Sequence, residues 1–145
     1  MIAIVGTGEP SENAKETAFR FSKELSNNGT LIISGGALGM DTAAHKGVLE
    51  SAAKETVSVL GSGFFRPYPP ENENLFDEII NNGGLLVSEN VPNFRGADYS
   101  FVFRNRIISG LADSVFLVAT NEWRRRHGSG REGICTKKTI IHTET

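Results

Sequence analysis

The sequence predicts an α/β fold with three layers, in which helices cover both faces of a mostly parallel sheet. Short continuous apolar runs alternate with segments of helical length, and several of these runs lead directly into glycine or serine. Continuous apolar runs are typical of parallel strands that are buried on both faces. The length of 145 residues is that of one domain, and 16 glycines against 5 prolines favour a fold with several tight turns.

Five runs of three or four residues are predicted to be strands because they are mainly apolar. They comprise residues 2–5, 31–33, 57–60, 85–87 and 115–118.

Four helices are predicted between the strands from apolar residues at helical spacing. The first has Pro10 in its first turn and ends near residues 27–29, and the second is capped by Asp41. The third ends at an Asn-Gly-Gly turn, and the fourth has an inner face that includes Phe103 and Leu111. Alternating strands and helices predict a parallel sheet that is covered by helices and has right-handed crossovers. In such sheets, ligands bind at the carboxyl ends of the strands.

Composition excludes several classes of protein. A net charge of −2 excludes a generally basic nucleic-acid coat protein, and the single cysteine, Cys135, excludes an internal disulfide framework. The apolar runs are far shorter than the roughly 20 residues of a membrane span, and Met1 leads into no signal-peptide pattern. No spaced Cys/His set predicts a metal site, and no cofactor is predicted. We therefore expect a reduced, cytoplasmic protein without membrane attachment.

Charge divides the chain into two parts. Residues 1–120 carry a net charge of −5, whereas residues 121–145 carry +3 and show no helical periodicity. We therefore expect one domain over residues 1–120, followed by a divergent basic tail over 121–145 that continues the domain or is partly disordered.

Glycine-rich loops follow the first two predicted strands. The first loop starts like a dinucleotide fingerprint but lacks its third glycine, so its glycines serve either a tight turn or a ligand. In the second loop, three glycines and a following helix N-terminus predict a phosphate site, although no Lys-Ser/Thr pair of a nucleotide P-loop follows. The candidate binding residues here are Gly6, Ser34, Gly35, Gly36, Gly39, Met40 and Asp41.

A second candidate group is Arg104, Asn105 and Arg106 at the start of the fourth helix. The two guanidinium groups are expected to point at the strand ends and bind phosphate, and the alternative is a solvated helix start. If both are exposed, replacing them with alanine leaves folding nearly intact. The proline-rich loop at residues 66–72 is either structural or binding, and His45 is expected to pack or cap rather than catalyse.

Four motifs occur in an order that resembles the DNA-processing protein DprA (Smf) family. In this sequence they read SGGALGMDTAAHKG, VLGSGFFRPYPPEN, GGLLVSENVP and FVFRNRIISGLADSVFLV, and together they span much of residues 1–120. The resemblance implies a non-catalytic Rossmann-like protein that binds single-stranded DNA, protects it and helps to load the recombinase RecA during natural transformation. It also implies that the loop at residues 35–41 and the segment at 104–106 form a phosphate-binding pocket, and that a second copy of the chain is a partner.

The sequence departs from the family pattern at three places. Thr7-Gly8-Glu9 stands where the family has Gly-Ser-Arg, and Leu38 stands where it has an arginine, so two positive charges are missing. After Glu122 the family pattern is lost, and we consider two explanations, a frameshift in the coding DNA and a divergent or truncated tail. A nucleotide- or phosphometabolite-binding Rossmann protein, including an enzyme, is therefore the alternative function. Salt-dependent binding of oligo-dT distinguishes the two.

Overall fold

The computed structural model describes residues 1–118 and the strand at residues 140–142. These residues form six strands, five α-helices and one 3-10 turn. In chain order they are β1 (Ile2–Gly6), α1 (Glu12–Asn27), β2 (Ile32–Ser34), α2 (Met40–Leu49), β3 (Thr56–Val59), the 3-10 turn (Pro70–Asn72), α3 (Glu73–Asn81), β4 (Leu85–Val87), α4 (Asp98–Phe103), α5 (Asn105–Leu111), β5 (Ser114–Val118) and β6 (Ile140–His142).

The six strands form one sheet in the order β4-β3-β2-β1-β5-β6, and every described pair is parallel. β1 lies inside the sheet and pairs with β5 over its whole length, from Ile2 opposite Ser114 to Gly6 opposite Val118. The predicted strands are all present, with ends displaced by no more than one residue. The α/β fold with a mostly parallel sheet is therefore confirmed.

Buried hydrophobic clusters lie between the sheet and the helices on each of its faces. On one face, α1 and α2 contribute Ala18 and Ala44 to a buried cluster with Ile4. On the other face, Ile108 of α5 packs in a cluster with Val57 and other sheet residues. Helices on both faces confirm the predicted three-layer arrangement.

Connectivity determines where a ligand site is expected. The chain moves from β1 through β2 and β3 to β4, and then returns to β5 on the opposite side of β1. Right-handed crossovers in opposite directions place α1–α3 and α4–α5 on opposite faces. The carboxyl ends of β1 and β5 therefore lie at a topological switch point, where open parallel sheets commonly bind ligands.

Two predicted helix starts were displaced. Pro10 lies before the N-cap of α1, which is Ser11, and the Ser11 hydroxyl accepts a hydrogen bond from the Ala14 amide at 3.2 Å. The N-cap of α2 is Gly39, because its φ of +87° turns the chain into the helix, so the prediction of Asp41 as the cap was wrong. Asp41 lies in the first helical turn instead.

The predicted fourth helix is two short helices, α4 and α5, which meet at Arg104. Its predicted inner face was also wrong, since Phe103 and Leu111 are both more than half exposed. Ile108 is the residue of α5 that is buried in the core. Because the helix is interrupted at Arg104, the single periodicity that the prediction assumed does not run through both helices.

Most of residues 121–145 lie outside the described residues, so the predicted basic tail, its disorder and its origin in a frameshift lie there too. Within that range, β6 is described, and it pairs in parallel with β5. The division of the chain at residue 120 stays a prediction.

None of the helices in the described ranges has both the length and the apolar character needed to cross a bilayer.

Candidate functional site

The carboxyl edge of the sheet brings the predicted site residues together. Gly6 ends β1 and Ser34 ends β2, and the β2–α2 loop, residues 35–39, leads from Ser34 into α2. Arg104 is distant in sequence, but its guanidinium group lies against Gly35 of the loop and Asp41 of α2. The two segments singled out by the sequence are therefore neighbours in space.

The glycines of the β2–α2 loop are packed by the protein itself. A Cβ atom on Gly35 would collide with the Arg104 guanidinium and the Asp41 carboxylate, and a Cβ on Gly36 would lie 2.7 Å from the buried ring of Phe76. The sequence pattern predicted that these glycines let the backbone approach a ligand. In the structure, the space freed by the missing side chains at these two positions is filled by Arg104, Asp41 and Phe76.

Two further glycines join the loops that follow β1 and β2. A Cβ on Gly39 would lie 2.5 Å from the carbonyl oxygen of Gly8, and one on Gly6 would lie 2.6 Å from Cγ of Met40. The Met40 amide also donates to the carbonyl of Thr7 at 3.3 Å. This first amide of α2 is thus bonded to the protein, and the two loops form one packed unit.

The carbonyl of Gly35 is held from two sides. The Ser58 hydroxyl donates to it at 3.0 Å, and Nε2 of His45 lies 2.6 Å from it. Burial lowers the pKa of His45 to about 4, so the ring is neutral at pH 7. Because a carbonyl only accepts, the neutral ring carries its hydrogen on Nε2. His45 therefore has the packing role that the sequence analysis favoured.

Arg104 is buried, with 6% of its surface exposed, so the expectation of an exposed guanidinium was wrong. Nη1 donates to the carbonyl of Val59 at the end of β3, and Nε donates to Oδ1 of Asn105 at 3.0 Å. Nη2 lies 3.6 Å from Oδ2 of Asp41, which makes an ion pair outside hydrogen-bond distance. Arg104 thus links β3, α2 and the α4–α5 junction.

Asp41 is buried beside this guanidinium, and Oδ2 accepts a hydrogen bond from the Ala37 amide at 3.2 Å. Burial raises the pKa of the Asp41 carboxyl, while the charge of Arg104 and the Ala37 amide act in the opposite direction. Burial likewise lowers the pKa of Arg104, and the charge of Asp41 raises it. Each group favours the charged form of the other.

Arg106 differs from Arg104 because its side chain is half exposed. It forms an ion pair with Glu89, and its guanidinium lies 4.1 Å from the centre of the Phe103 ring. These contacts place Arg106 on the outer surface of the α4–α5 junction. The alternative interpretation, a solvated helix start, therefore describes Arg106 but not Arg104.

An open cavity of about 230 Å³ lies at the carboxyl edge, beside Arg104. Its walls are mainly apolar, and Arg104 is the charged residue among its lining side chains. The lining residues are Gly8, Ala37, Leu38, Tyr68, Pro69, Phe101 and Arg104. The cavity therefore combines one cation with surfaces suited to a flat apolar group.

Tyr68 and Phe101 form the aromatic wall of the cavity, with their ring centres 4.9 Å apart. Phe101 was not predicted as a site residue, and the loop that contains Tyr68 was predicted to be either structural or binding. Asn72 in that loop is buried, and its amide donates to the Gly36 carbonyl at 2.9 Å. The proline-rich loop therefore supports the β2–α2 loop and also supplies a wall of the cavity.

Within the described ranges, no cluster of three or more His, Cys, Asp or Glu side chains has an arrangement that could hold a metal ion. The sheet is parallel and has a switch point between β1 and β5, and a cavity that contains a cation lies at its carboxyl edge. These features define a Rossmann-like protein with a candidate binding site at the sheet edge.

The family model for DNA recombination-mediator protein A matches residues 1–130, and the chain belongs to this family. The DNA processing protein DprA of Bacillus subtilis is 36% identical over 121 residues, which are 83% of this chain and 40% of that protein. Protein Smf of Borreliella burgdorferi is 34% identical over 115 residues, which are 79% of this chain and 36% of that protein. The chain thus spans well under half the length of these relatives.

Solved structures of two related proteins resemble the chain. DNA processing protein A from Helicobacter pylori, solved to explain its single-stranded DNA binding mode, superimposes with a TM-score of 0.74 and 34% identity. That match covers 83% of this chain and 54% of the other. DprA from Streptococcus pneumoniae also gives a TM-score of 0.74, with 26% identity over 97% of this chain and 57% of the other.

Proposed function

We propose that the cavity at the carboxyl edge binds single-stranded DNA, with a backbone phosphate at Arg104 and a base against Tyr68 and Phe101. Family membership supports this function, as does the similarity to a Helicobacter pylori protein whose structure was solved for its single-stranded DNA binding. Single-strand binders generally combine cations that contact the backbone with aromatic rings that stack on bases.

The arrangement of Arg104 is the observation that carries the proposal. Its Nε and Nη1 are fixed by hydrogen bonds to Asn105 and Val59, so the plane of the guanidinium is set before any ligand arrives. Among the residues that the structure describes, the partner of Nη2 is Asp41, in an ion pair at 3.6 Å. A fixed guanidinium in an apolar setting is well suited to a phosphate oxygen, because little conformational freedom is lost on binding.

The size of the cavity favours one segment of a polymer over a whole cofactor. Sites for complete small molecules commonly measure about 300–1,000 Å³, whereas this cavity measures about 230 Å³. A cavity of this size encloses part of a ligand, and its open side lets the rest of the ligand extend beyond it. A free nucleotide or phosphometabolite is the alternative ligand, and the binding experiment separates the two.

Fluorescence anisotropy with labelled oligo-dT at two salt concentrations tests the proposal. We expect binding that weakens as salt rises, because phosphate contacts release counterions. Tyr68→Ala should weaken binding by about 1–3 kcal/mol through lost stacking. Tyr99→Ala is the matched control, since Tyr99 is an exposed tyrosine of α4 outside the cavity lining. Absence of oligo-dT binding, with thermal stabilisation by a mononucleotide, would favour the alternative.

The remaining parts of the functional prediction rest on the family resemblance. A RecA-type recombinase and a second copy of the chain stay predicted partners, and a cytoplasmic location and the absence of catalysis stay predictions. Co-sedimentation with a recombinase on single-stranded DNA tests the first partner. Light scattering of the purified chain tests the second.

A further inference from the structure

Asp41 and the proposed phosphate depend on the same cation. The carboxylate and the guanidinium of Arg104 are both less than one-tenth exposed, and they face each other at 3.6 Å. The Ala37 amide that donates to Asp41 belongs to a residue that lines the cavity. A single residue of backbone therefore separates the Asp41 carboxylate from the space that a ligand would occupy.

Binding of an anion would change the charge balance of this buried pair. Without ligand, one carboxylate faces one guanidinium, and their charges cancel. A phosphate at Nη2 adds a second negative charge to the same guanidinium. An uncompensated charge in a buried setting costs several kcal/mol. Protonation of the Asp41 carboxylate removes the excess negative charge.

We infer that phosphate binding in the cavity is coupled to uptake of a proton by the Asp41 carboxylate, which makes the site bind single-stranded DNA more tightly as pH falls. The inference rests on the proposed function and adds a means of regulating the same site. It assigns to Asp41 a positioning role, since this residue holds Arg104 in place without touching the ligand.

The direction of the effect follows from the contacts of Asp41. Burial already raises the pKa of the carboxyl, and the Arg104 charge is the main opposing influence. An anion at Arg104 weakens that opposition, so the pKa of Asp41 rises further on binding. A complex that holds more protons than the free protein is favoured at low pH.

The other groups near Asp41 do not produce this pH dependence. On α2 itself, His45 shares the Gly35 contact, but its pKa of about 4 lies below the range of interest. From the end of β2, Ser34 contributes a hydroxyl that favours the charged form of Asp41. From the α4–α5 junction, Arg104 stays charged. Asp41 is thus the group in this cluster that takes up the proton.

Anisotropy titrations over about pH 5.5 to about pH 8.5 test the inference, with an oligo-dT that carries a 5′-hydroxyl so that the ligand does not titrate. We expect the wild-type chain to bind about tenfold more tightly at the acidic end. Asp41→Asn should bind with little pH dependence, because it cannot take up the proton. Asp77→Asn removes an exposed carboxylate of α3 and should keep the wild-type dependence.

Calorimetry of the wild-type chain gives a second test that needs no variant to fold. At one pH, the binding enthalpy in buffers of different ionisation enthalpy reports the number of protons taken up. We expect a positive fraction of a proton per site. Binding without proton uptake and with pH-independent affinity overturns the inference and leaves the proposed function standing. Absence of oligo-dT binding at every pH overturns both.

Discussion

The β2–α2 loop and the aromatic wall of Tyr68 and Phe101 face the same cavity but are built in opposite ways. The loop has the most recognisable pattern in the sequence, yet its glycines at 35 and 36 are closed over by Arg104, Asp41 and Phe76. The aromatic wall has no distinctive spacing, yet Tyr68 is about half exposed and lines the cavity. A conspicuous glycine motif can therefore serve the protein's own packing while its neighbours supply the surface for a ligand.

The two arginines of the α4–α5 junction give the strongest test of this comparison. Arg104→Ala leaves Asp41 buried without its partner, so we expect a loss of about 3–5 kcal/mol in the free energy of unfolding. Arg106→Ala breaks only a partly exposed ion pair and should cost about 0–1 kcal/mol. Urea denaturation of both variants measures the difference. Equal stability of the two variants would mean that Arg104 is not a structural part of the loop.

Gly36→Val tests whether the loop glycines are needed for packing. The new side chain would meet the Phe76 ring, which is 2% exposed, and overpacking of this kind costs about 1–3 kcal/mol. Gly110→Ala is the control, because a Cβ there meets nothing within 4 Å and alanine is the better helix former. Thermal denaturation should show the first variant melting lower and the second no lower than wild type. A Gly36→Val protein of wild-type stability that fails to bind DNA would restore the ligand-approach interpretation.

His45 tests the same packing through pH. Its pKa is about 4 in the folded chain and 6.5 as the ordinary value, so the unfolded chain takes up the proton first as pH falls. Neutral His45 stabilises the folded chain fully above about pH 6.5, and this stabilisation is lost as the pH falls from about 6.5 to about 4. By pH 5, the loss in the free energy of unfolding is about 2 kcal/mol. Because Asp41 acts in the opposite direction, the measurement is the difference in urea stability between wild type and His45→Gln at pH 7 and pH 5. A difference that does not change with pH contradicts the assignment.

The smallest effect is expected at Leu38, the residue of the β2–α2 loop that lines the cavity and is 42% exposed. Leu38→Arg adds a positive charge next to the proposed phosphate, so oligo-dT binding should strengthen a few-fold and its salt dependence should steepen by about one counterion. Leu85→Arg is the control, because it adds the same charge at the start of β4. In a parallel sheet, the start of a strand lies at the edge opposite to the carboxyl edge that holds the cavity. Equal gains in the two variants would show that only overall charge matters.

The fold was predictable because it depends on short-range patterns. Apolar runs and helical spacing identify the five predicted strands, and strand-helix alternation identifies the parallel sheet. Burial of Arg104 was not predictable, because an arginine at a helix start looks the same whether or not a carboxylate 63 residues earlier meets it. Phe101 escaped notice for a similar reason, since its place in the cavity is set by contacts with Tyr68 and with glycines of other loops.

The full-length pairing of β1 with β5 also has a consequence for how the chain folds. Residues 2 and 114 are opposite each other, so one edge of the central strand stays open until nearly the whole described domain has been synthesised. Contacts of such large sequence separation must overcome the entropy of closing a long loop, which slows folding. During translation, β1 to β4 can assemble first with their helices, and β1 presents an unpaired edge in the meantime. Such an edge is a template for pairing with other chains until β5 covers it, and the outer edge of β5 is covered in turn when β6 pairs with it.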